Sequence, residues 1–498
     1  MKYRVDTTKG IIPFNHYWEK CVGSCHAATA LRSDYREQLQ RAHEELGFEY
    51  VRFHGLFDDD MSVVLSDAPS PYIPSDKVKY NFMNIDNIFD FLISIGMKPF
   101  IEIGFMPKLL ASGDSTAFSY EGNITEPKDF GQWSHFIESF IRHLEERYGE
   151  TEVKTWFFEV WNEPNLEHFW KGTMESYFKL YECTVRAVKK VNADYQTGGP
   201  ATSINAWIPE LRQFCEANNV PLDFISTHHY PTDDPLWSNP DIDLMQLMSE
   251  KGMDVMNKYD KHIMRKMTQR ARQESGELPL YYTEWNISAL LGDVEHDTTY
   301  ASAMIARILH ENSGLAEGYS YWTFTDIFEE MGQMPGEFHG GFGLQTYHGI
   351  RKPSYRLFEL FHKMGTKQYQ VESESTDEKN NIGVLATENK DKMSIIVYNH
   401  NTKAMNDIKT EQLTLSINTF SDSVKVNMYR IDETHANARE VWEEMGEPTY
   451  VDKRQLTKLN RASEIQPELT EIISREGSVE ISVELPPYSV AYLEVQGV

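Results

Sequence analysis

A chain of 498 residues with 76 acidic against 48 basic side chains carries a formal charge of −28, which repels phosphate backbones and anionic surfaces and argues against nucleic acid or a membrane as partner. Forty per cent hydrophobic and 25% charged residues suit a soluble globular protein large enough for a barrel and one accessory domain, and no apolar run reaches the roughly 18 residues of a membrane span. Four cysteines argue against a disulfide framework, and the opening MKYRVDTTKGIIPFNHYW has no apolar signal core, so the chain reads as cytoplasmic, as would a secreted chain already stripped of its leader.

Strand-like and helix-like patterns then alternate. Lys20 to Ser24 reads as a first strand, and Asp34 to Leu46 has the apolar spacing of a helix that ends at Gly47. Tyr50 to Phe53 is the second strand, Ile85 to Ile95 a helix, Pro99 to Gly104 the third strand and Phe130 to Tyr148 a long helix. The stretch beginning at Thr155 is fourth, followed by a helix from Met174 to Val191. A weak fifth strand near Thr197 to Gly199, a helix from Trp207 to Ala217, and the strand Phe224 to His228 come next. A helical region from Leu244 to Arg272 precedes the seventh strand at Leu280. Thr299 to His310 is helical, Tyr319 to Phe324 is the eighth strand, and Pro353 to Met364 closes the set. Eight strand-helix units in sequence predict a parallel (β/α)₈ barrel over residues 13–366.

From Lys367 the pattern switches to alternation, in Ile382 to Ala386, Met393 to Tyr398, Val424 to Arg430, Val479 to Val483 and Tyr488 to Val495. This predicts an antiparallel β-sandwich over 367–498, interrupted by a charged, partly helical insertion near 440–475. Residues 1–12 precede the barrel, and Tyr3 to Val5 is a candidate edge strand of the sandwich. Cys21 and Cys25-His26 lack a second Cys/His pair to complete four ligands, so they read as buried thiols, with no metal or cofactor called for.

Thr155 to Asn165, TWFFEVWNEPN, is aromatic and β-branched until Asn162-Glu163-Pro164 stops it, which predicts Glu163 at the last strand position with Trp161 as an apolar neighbour able to keep it protonated. Leu280 to Ser288, LYYTEWNIS, likewise delivers Glu284. Two carboxylates on separate strand ends are what glycoside hydrolysis needs, one to protonate the leaving oxygen and one to attack or stabilise the anomeric carbon. Aromatic residues make up 12% of the chain, and such rings suit sugar faces.

Beyond the acids, the chain resembles glycoside hydrolases of the 4/7 barrel clan, and within it family 39, the β-xylosidases and α-L-iduronidases. The resemblance is carried by Val22-Gly23-Ser24 with His26-Ala27, Arg52 to Leu56, Trp161 to Asn165, His228-His229-Tyr230, Thr283 to Asn286, Tyr321 to Phe324, Phe338 to Leu344 and Leu485 to Ser489. It implies Glu163 as general acid/base, Glu284 as nucleophile, and Asn162 as partner of the sugar 2-hydroxyl. It further implies His54, His228 and Tyr230 as polar contacts, Phe169 or Trp170 as wall, Trp322 as stacking platform, and Glu329 or Glu330 holding ring hydroxyls. Exo action and a homo-oligomer, often a tetramer in the family, are also implied. An iduronide would need a basic residue for its carboxylate, for which Arg351 is the candidate; acids near the subsite favour a neutral pentose, a β-D-xyloside. Arabinosides, glucosides, and a sugar-binding barrel without turnover are the alternatives.

Overall fold

The computed structural model describes residues 1–7, 11–68, 70, 72–73, 75, 77–234, 256, 258–373, 380–389, 392–404, 408–418, 422–475 and 477–497. Eight parallel strands close on themselves as β1 Cys21–His26, β2 Tyr50–His54, β3 Lys98–Ile103, β4 Phe157–Val160, β5 Gln196–Thr202, β6 Phe224–His228, β7 Leu280–Trp285 and β8 Gly318–Tyr321, with Tyr321 of β8 paired to Val22 of β1. Each strand is followed by a helix, in turn Ser33–Leu46, Met83–Ser94, Phe130–Tyr148, Met174–Val191, Ile208–Asn218, Ile263–Ser275, Thr299–Glu311 and Pro353–His362. Of the helical region expected from Leu244, residues 244–255 lie outside the described residues.

The helices form for local reasons. The Asp129 side chain accepts hydrogen bonds from the amides of Gly131 and Gln132, capping Phe130–Tyr148, whose buried Trp133, Phe136, Ile137, Phe140, Ile141 and Leu144 fall on one stripe. Gly47 ends the first helix in the left-handed conformation (φ 78°).

Inside the barrel, side chains stack in layers because inward positions recur every second residue. The bottom layer is an aromatic plug of Tyr50, Phe100, Phe157, Phe224 and Tyr281, with Cys21. Two residues further along their strands come Arg52, Glu102, Glu159 and Thr283, all buried. A charged layer above an apolar one is affordable only because its members pair with each other, as described below.

After the barrel come two sheets. A seven-stranded sheet runs in the order Ile12–Pro13, Lys367–Gln368, Ile382–Asn389, Lys392–Asn399, Val490–Gln496, Ser423–Ile431, Glu468–Ile473. A four-stranded sheet runs Val371–Ser373, Lys2–Val5, Glu411–Asn418, Ser478–Leu485. They share an apolar core that includes Val384, Ile395, Leu413, Ile481 and Leu493. The outward face of the larger sheet, with Leu385, Ile396 and Tyr492, continues into the barrel's own core.

Three expectations are corrected here. Lys2–Val5 is not an edge strand: it lies between two others, antiparallel to Val371–Ser373 and parallel to Glu411–Asn418. Residues 440–475 are partly helical, as expected, but do not lie wholly outside the sandwich, since Glu468–Ile473 is the outer strand of the seven-stranded sheet. The helices Ala438–Glu444 and Lys453–Ala462 that precede it pack Trp442 and Leu459 against Phe338 and Ile350. The eighth strand stops at Tyr321, which leaves Trp322 and Phe324 beyond its end.

Candidate active site

Glu163 does not occupy a strand position. Strand β4 ends at Val160, and the chain then passes through positive φ at Trp161 (72°) and Glu163 (42°). Such backbone costs on the order of 1–3 kcal/mol per residue and persists where surroundings enforce it. Here the Glu163 amide donates to the carbonyl of Ala201 at 2.8 Å, and the Trp161 indole donates to Phe169 O at 2.8 Å. Pulled over β5 in this way, the Glu163 carboxyl meets His228 at the end of β6, with Oε1 3.0 Å from Nδ1.

Glu284, the penultimate residue of β7, faces the same point. A carboxylate oxygen of Glu163, a ring nitrogen of His228 and a carboxylate oxygen of Glu284 all lie within 4.8 Å of one another. Glu284 Oε1 accepts from Arg52 at 2.8 Å and Oε2 accepts from the Tyr230 hydroxyl at 2.9 Å. The two acids are 8% and 5% exposed, so neither is solvated as a surface carboxylate would be. Burial first, and then the charge of Glu284, push the Glu163 carboxyl well above the usual range. Burial and a neighbouring carboxylate are thus the causes of the shift, and the ring of Trp161 packs against Trp170 and Phe105.

Arg52 organises the floor. Its guanidinium, fully buried, lies 2.5 Å from Glu159, 2.8 Å from Glu284 and 3.0 Å from Glu102, and it donates to Asn162 Oδ1 at 2.9 Å. Among the described residues Asn162 Nδ2 is left buried with no partner, a donor free for a ligand. His54 ends β2 with Nδ1 2.6 Å from Glu102 and Nε2 3.6 Å from Glu284, and these carboxylates raise its pKa against the opposing effect of burial.

The remaining predicted residues divide. Trp322 lies beside His54, with ring centres 4.7 Å apart, and clusters with Cys25, Tyr230, Phe328 and Phe342. Phe169 packs on Phe118 and lies 6.5 Å from His54, as a wall would. Trp170 is instead core, its indole bonded to Thr173 O. Glu330 approaches His54 Nε2 at 3.7 Å, and burial pushes its carboxyl up to about 8. Glu329 points elsewhere, toward Arg32 at 3.4 Å with about a third of its side chain exposed, so Glu330 is the acid of the pair that reaches the pocket. Cys21 sits in the bottom plug and Cys25 beside Trp322, and among the described residues neither joins a metal-ligating cluster.

Arg52, Glu102, Glu159, Thr283 and Asp233 were not singled out as site residues from the sequence. A signal existed for three of them: Arg52, Glu102 and Glu159 are charges in the interior of the mostly apolar strands YVRFH, KPFIEI and FFEV. Burial inside a barrel obliges such charges to pair.

The chain is 44% identical over 499 residues to a beta-xylosidase of Caldicellulosiruptor saccharolyticus, covering 100% of this chain and 98% of that one. It is 36% identical to a beta-xylosidase of Geobacillus stearothermophilus, covering 97% and 94%. Its fold superposes on the crystal structure of a monomeric beta-xylosidase from Caulobacter crescentus CB15 with a TM-score of 0.85 at 30% identity, over 100% of this chain and 99% of that one. A sequence profile described as glycosyl hydrolases family 39 matches residues 1–480, and the chain is a member of that family.

Proposed function

We propose that this chain is a retaining exo-β-D-xylosidase that releases xylose from the non-reducing end of short xylo-oligosaccharides. The observation that carries the reading is the approach of Glu163 and Glu284 to within 4.8 Å around one buried point, with different surroundings. A retaining enzyme needs carboxyls roughly 5–5.5 Å apart, whereas inversion needs room for a water between them.

Glu284, held by Arg52 and Tyr230, is the nucleophile. Its oxygens accept two hydrogen bonds that fix the attacking atom. Glu163 starts protonated and gives its proton to the glycosidic oxygen as Glu284 attacks C1. Once Glu284 is esterified its negative charge is gone, one cause of the raised Glu163 pKa goes with it, and Glu163 becomes the base that activates water. Both displacements invert C1, so the configuration is retained overall.

The orphan Nδ2 of Asn162 is suited to donating to the 2-hydroxyl, and Trp322 with Phe169 to flanking the ring. Glu330, neutral over much of the range below about 8, can both donate to and accept from a sugar hydroxyl beside His54. Arg351, the candidate anchor for an iduronide carboxylate, is paired with Glu45 through Nε at 2.9 Å, which supports the neutral pentose. The division into a catalytic barrel at 13–366 and an accessory β-sandwich at 367–498 with 1–12 is part of the same proposal.

A panel of nitrophenyl glycosides tests the substrate. Turnover of the β-D-xyloside above the α-L-arabinoside, β-D-glucoside and α-L-iduronide is expected, and turnover of none would leave a sugar binder. Azide should rescue Glu163→Ala as the β-xylosyl azide. An α-azide from that variant, or full activity in Glu284→Ala, would overturn the assignment of roles.

A further inference from the structure

Below the paired acids a hydrogen-bonded line runs from Glu159 on β4 through Thr283 on β7 to His228 on β6, ending at Glu163. The Thr283 hydroxyl donates to Glu159 Oε1 at 2.7 Å, His228 Nε2 lies 3.0 Å from Thr283 Oγ1, and His228 Nδ1 lies 3.0 Å from Glu163 Oε1. We infer that Glu159 and Thr283 are positioning residues that fix the tautomer of His228 and thereby hold the catalytic proton on Glu163. The inference rests on the reading of Glu163 as the acid.

Donor and acceptor capacity sets the direction of every link. Arg52 Nε occupies Glu159 Oε2 at 2.5 Å, which favours an ionised, acceptor-only carboxylate there even though burial pushes its pKa up. Glu159 Oε1 therefore takes the single hydrogen of Thr283. A hydroxyl that has spent its hydrogen can only accept from His228, so Nε2 must carry a hydrogen. Burial first, and then the charges of Arg52 and His54, hold His228 neutral. A neutral imidazole with hydrogen on Nε2 has a bare Nδ1, which can only accept. The atom 3.0 Å from it, Glu163 Oε1, must then be the donor, and the acid is protonated. Three hydrogen bonds in series thus carry the charge pattern of the barrel floor to the acid.

Reversing the line reverses its effect. Were His228 to hold its hydrogen on Nδ1, it would donate to Glu163 and stabilise the carboxylate, and the acid would lose its proton at lower pH. The other groups that face Glu163 are Glu284 from β7, Asp233 beyond β6 and Glu330 beyond β8, which raise its pKa, and Arg52 from β2, which lowers it. None of them is altered by a change at Thr283.

The test is the pH profile of kcat/KM on xylobiose and on 2,4-dinitrophenyl β-D-xyloside, in full-length wild type, Thr283→Val and Thr283→Ser. Thr283→Val is nearly isosteric but cannot pass the bond on. Its alkaline limb is expected to move down by about one pH unit, a loss of about 10-fold on xylobiose above the limb. The dinitrophenyl substrate, whose leaving group needs little protonation, should fall by less than about 2-fold. Thr283→Ser should restore the wild-type limb, a rescue that lost packing alone would not give. Should Thr283→Val fail to fold, Glu159→Gln carries the same test, because its amide donates to Thr283 and drives the line the other way. An unmoved alkaline limb in either folded variant, or equal losses on both substrates, overturns the inference. A wild type inactive on β-xylosides would instead refute the functional reading itself, and this inference with it.

Discussion

Glu330 offers a measurement of how the pocket holds its acids. Its side chain is 14% exposed, and burial raises its carboxyl from 4.5 to about 8, with Glu284 and Glu102 adding to the rise and His54 opposing it. Because the folded pKa lies above the unfolded one, the folded chain keeps a proton that the unfolded chain releases. The resulting contribution is fully present below about 4.5 and is lost as pH climbs toward 8. At ~1.4 kcal/mol per pH unit, the span gives an upper bound of about 5 kcal/mol, and water reaching the partly open carboxyl reduces this to about 3 kcal/mol. Glu330→Gln has the size of the neutral acid and no titration. Wild type and variant should therefore be equally stable near pH 5, and the variant should be more stable by about 3 kcal/mol near pH 8. Urea unfolding followed by tryptophan fluorescence across pH 5–9 reads this directly, since 10 tryptophans report on the fold. A downward slope should survive in the variant, because burial also lifts Asp233 to about 7 and raises Glu163. Parallel curves for the two proteins would mean that Glu330 is ionised throughout, and the account of a neutral hydroxyl-binding acid would fail.

Other perturbations follow from single contacts. Arg52→Lys keeps the charge but reaches fewer of the four oxygens now served, so a stability loss of about 2–4 kcal/mol and a fall in kcat of about 10²-fold are expected from denaturation and steady-state kinetics. At Gly23 an added Cβ would lie 2.5 Å from Trp322 Cε3, so Gly23→Ala should displace the ring. It should raise KM for xylosides at a stability cost of about 1–3 kcal/mol. Glu329→Ala, which removes only a half-open pair with Arg32, should leave KM unchanged and stability within about 1 kcal/mol, whereas Glu330→Ala should raise KM.

Much of this architecture was legible because barrel strands and helices differ in period. Phe130–Tyr148, Met174–Val191 and Phe224–His228 have the bounds that spacing alone predicts. The fifth strand was faint because Gly198, Gly199 and Pro200 occupy the middle of Gln196–Thr202 and give no apolar signature. Glu411–Asn418 lies outside the expected strands although Leu413, Leu415 and Ile417 alternate with polar neighbours, and Glu468–Ile473 falls within the expected charged insertion because an outer strand with little burial keeps its charges. The two acids were found by residue type and position, but the placement of Glu163 was not. Its backbone leaves the strand through left-handed conformations that nothing in WNEP announces. The pairings of Arg52, Glu102 and Glu159 depend on strands roughly 50 residues apart sharing one layer, which a linear reading cannot supply.

The lodging of Lys2–Val5 between Val371–Ser373 and Glu411–Asn418 also has a consequence in time. At roughly 5–20 residues per second, some 410 residues of synthesis separate that segment from its second neighbour, so the edge facing that neighbour waits about 20–80 s on the ribosome unpaired. The barrel has emerged and can close before those first residues find their place. Early capture of this segment by a passing strand would therefore spoil the last step of assembly rather than the first.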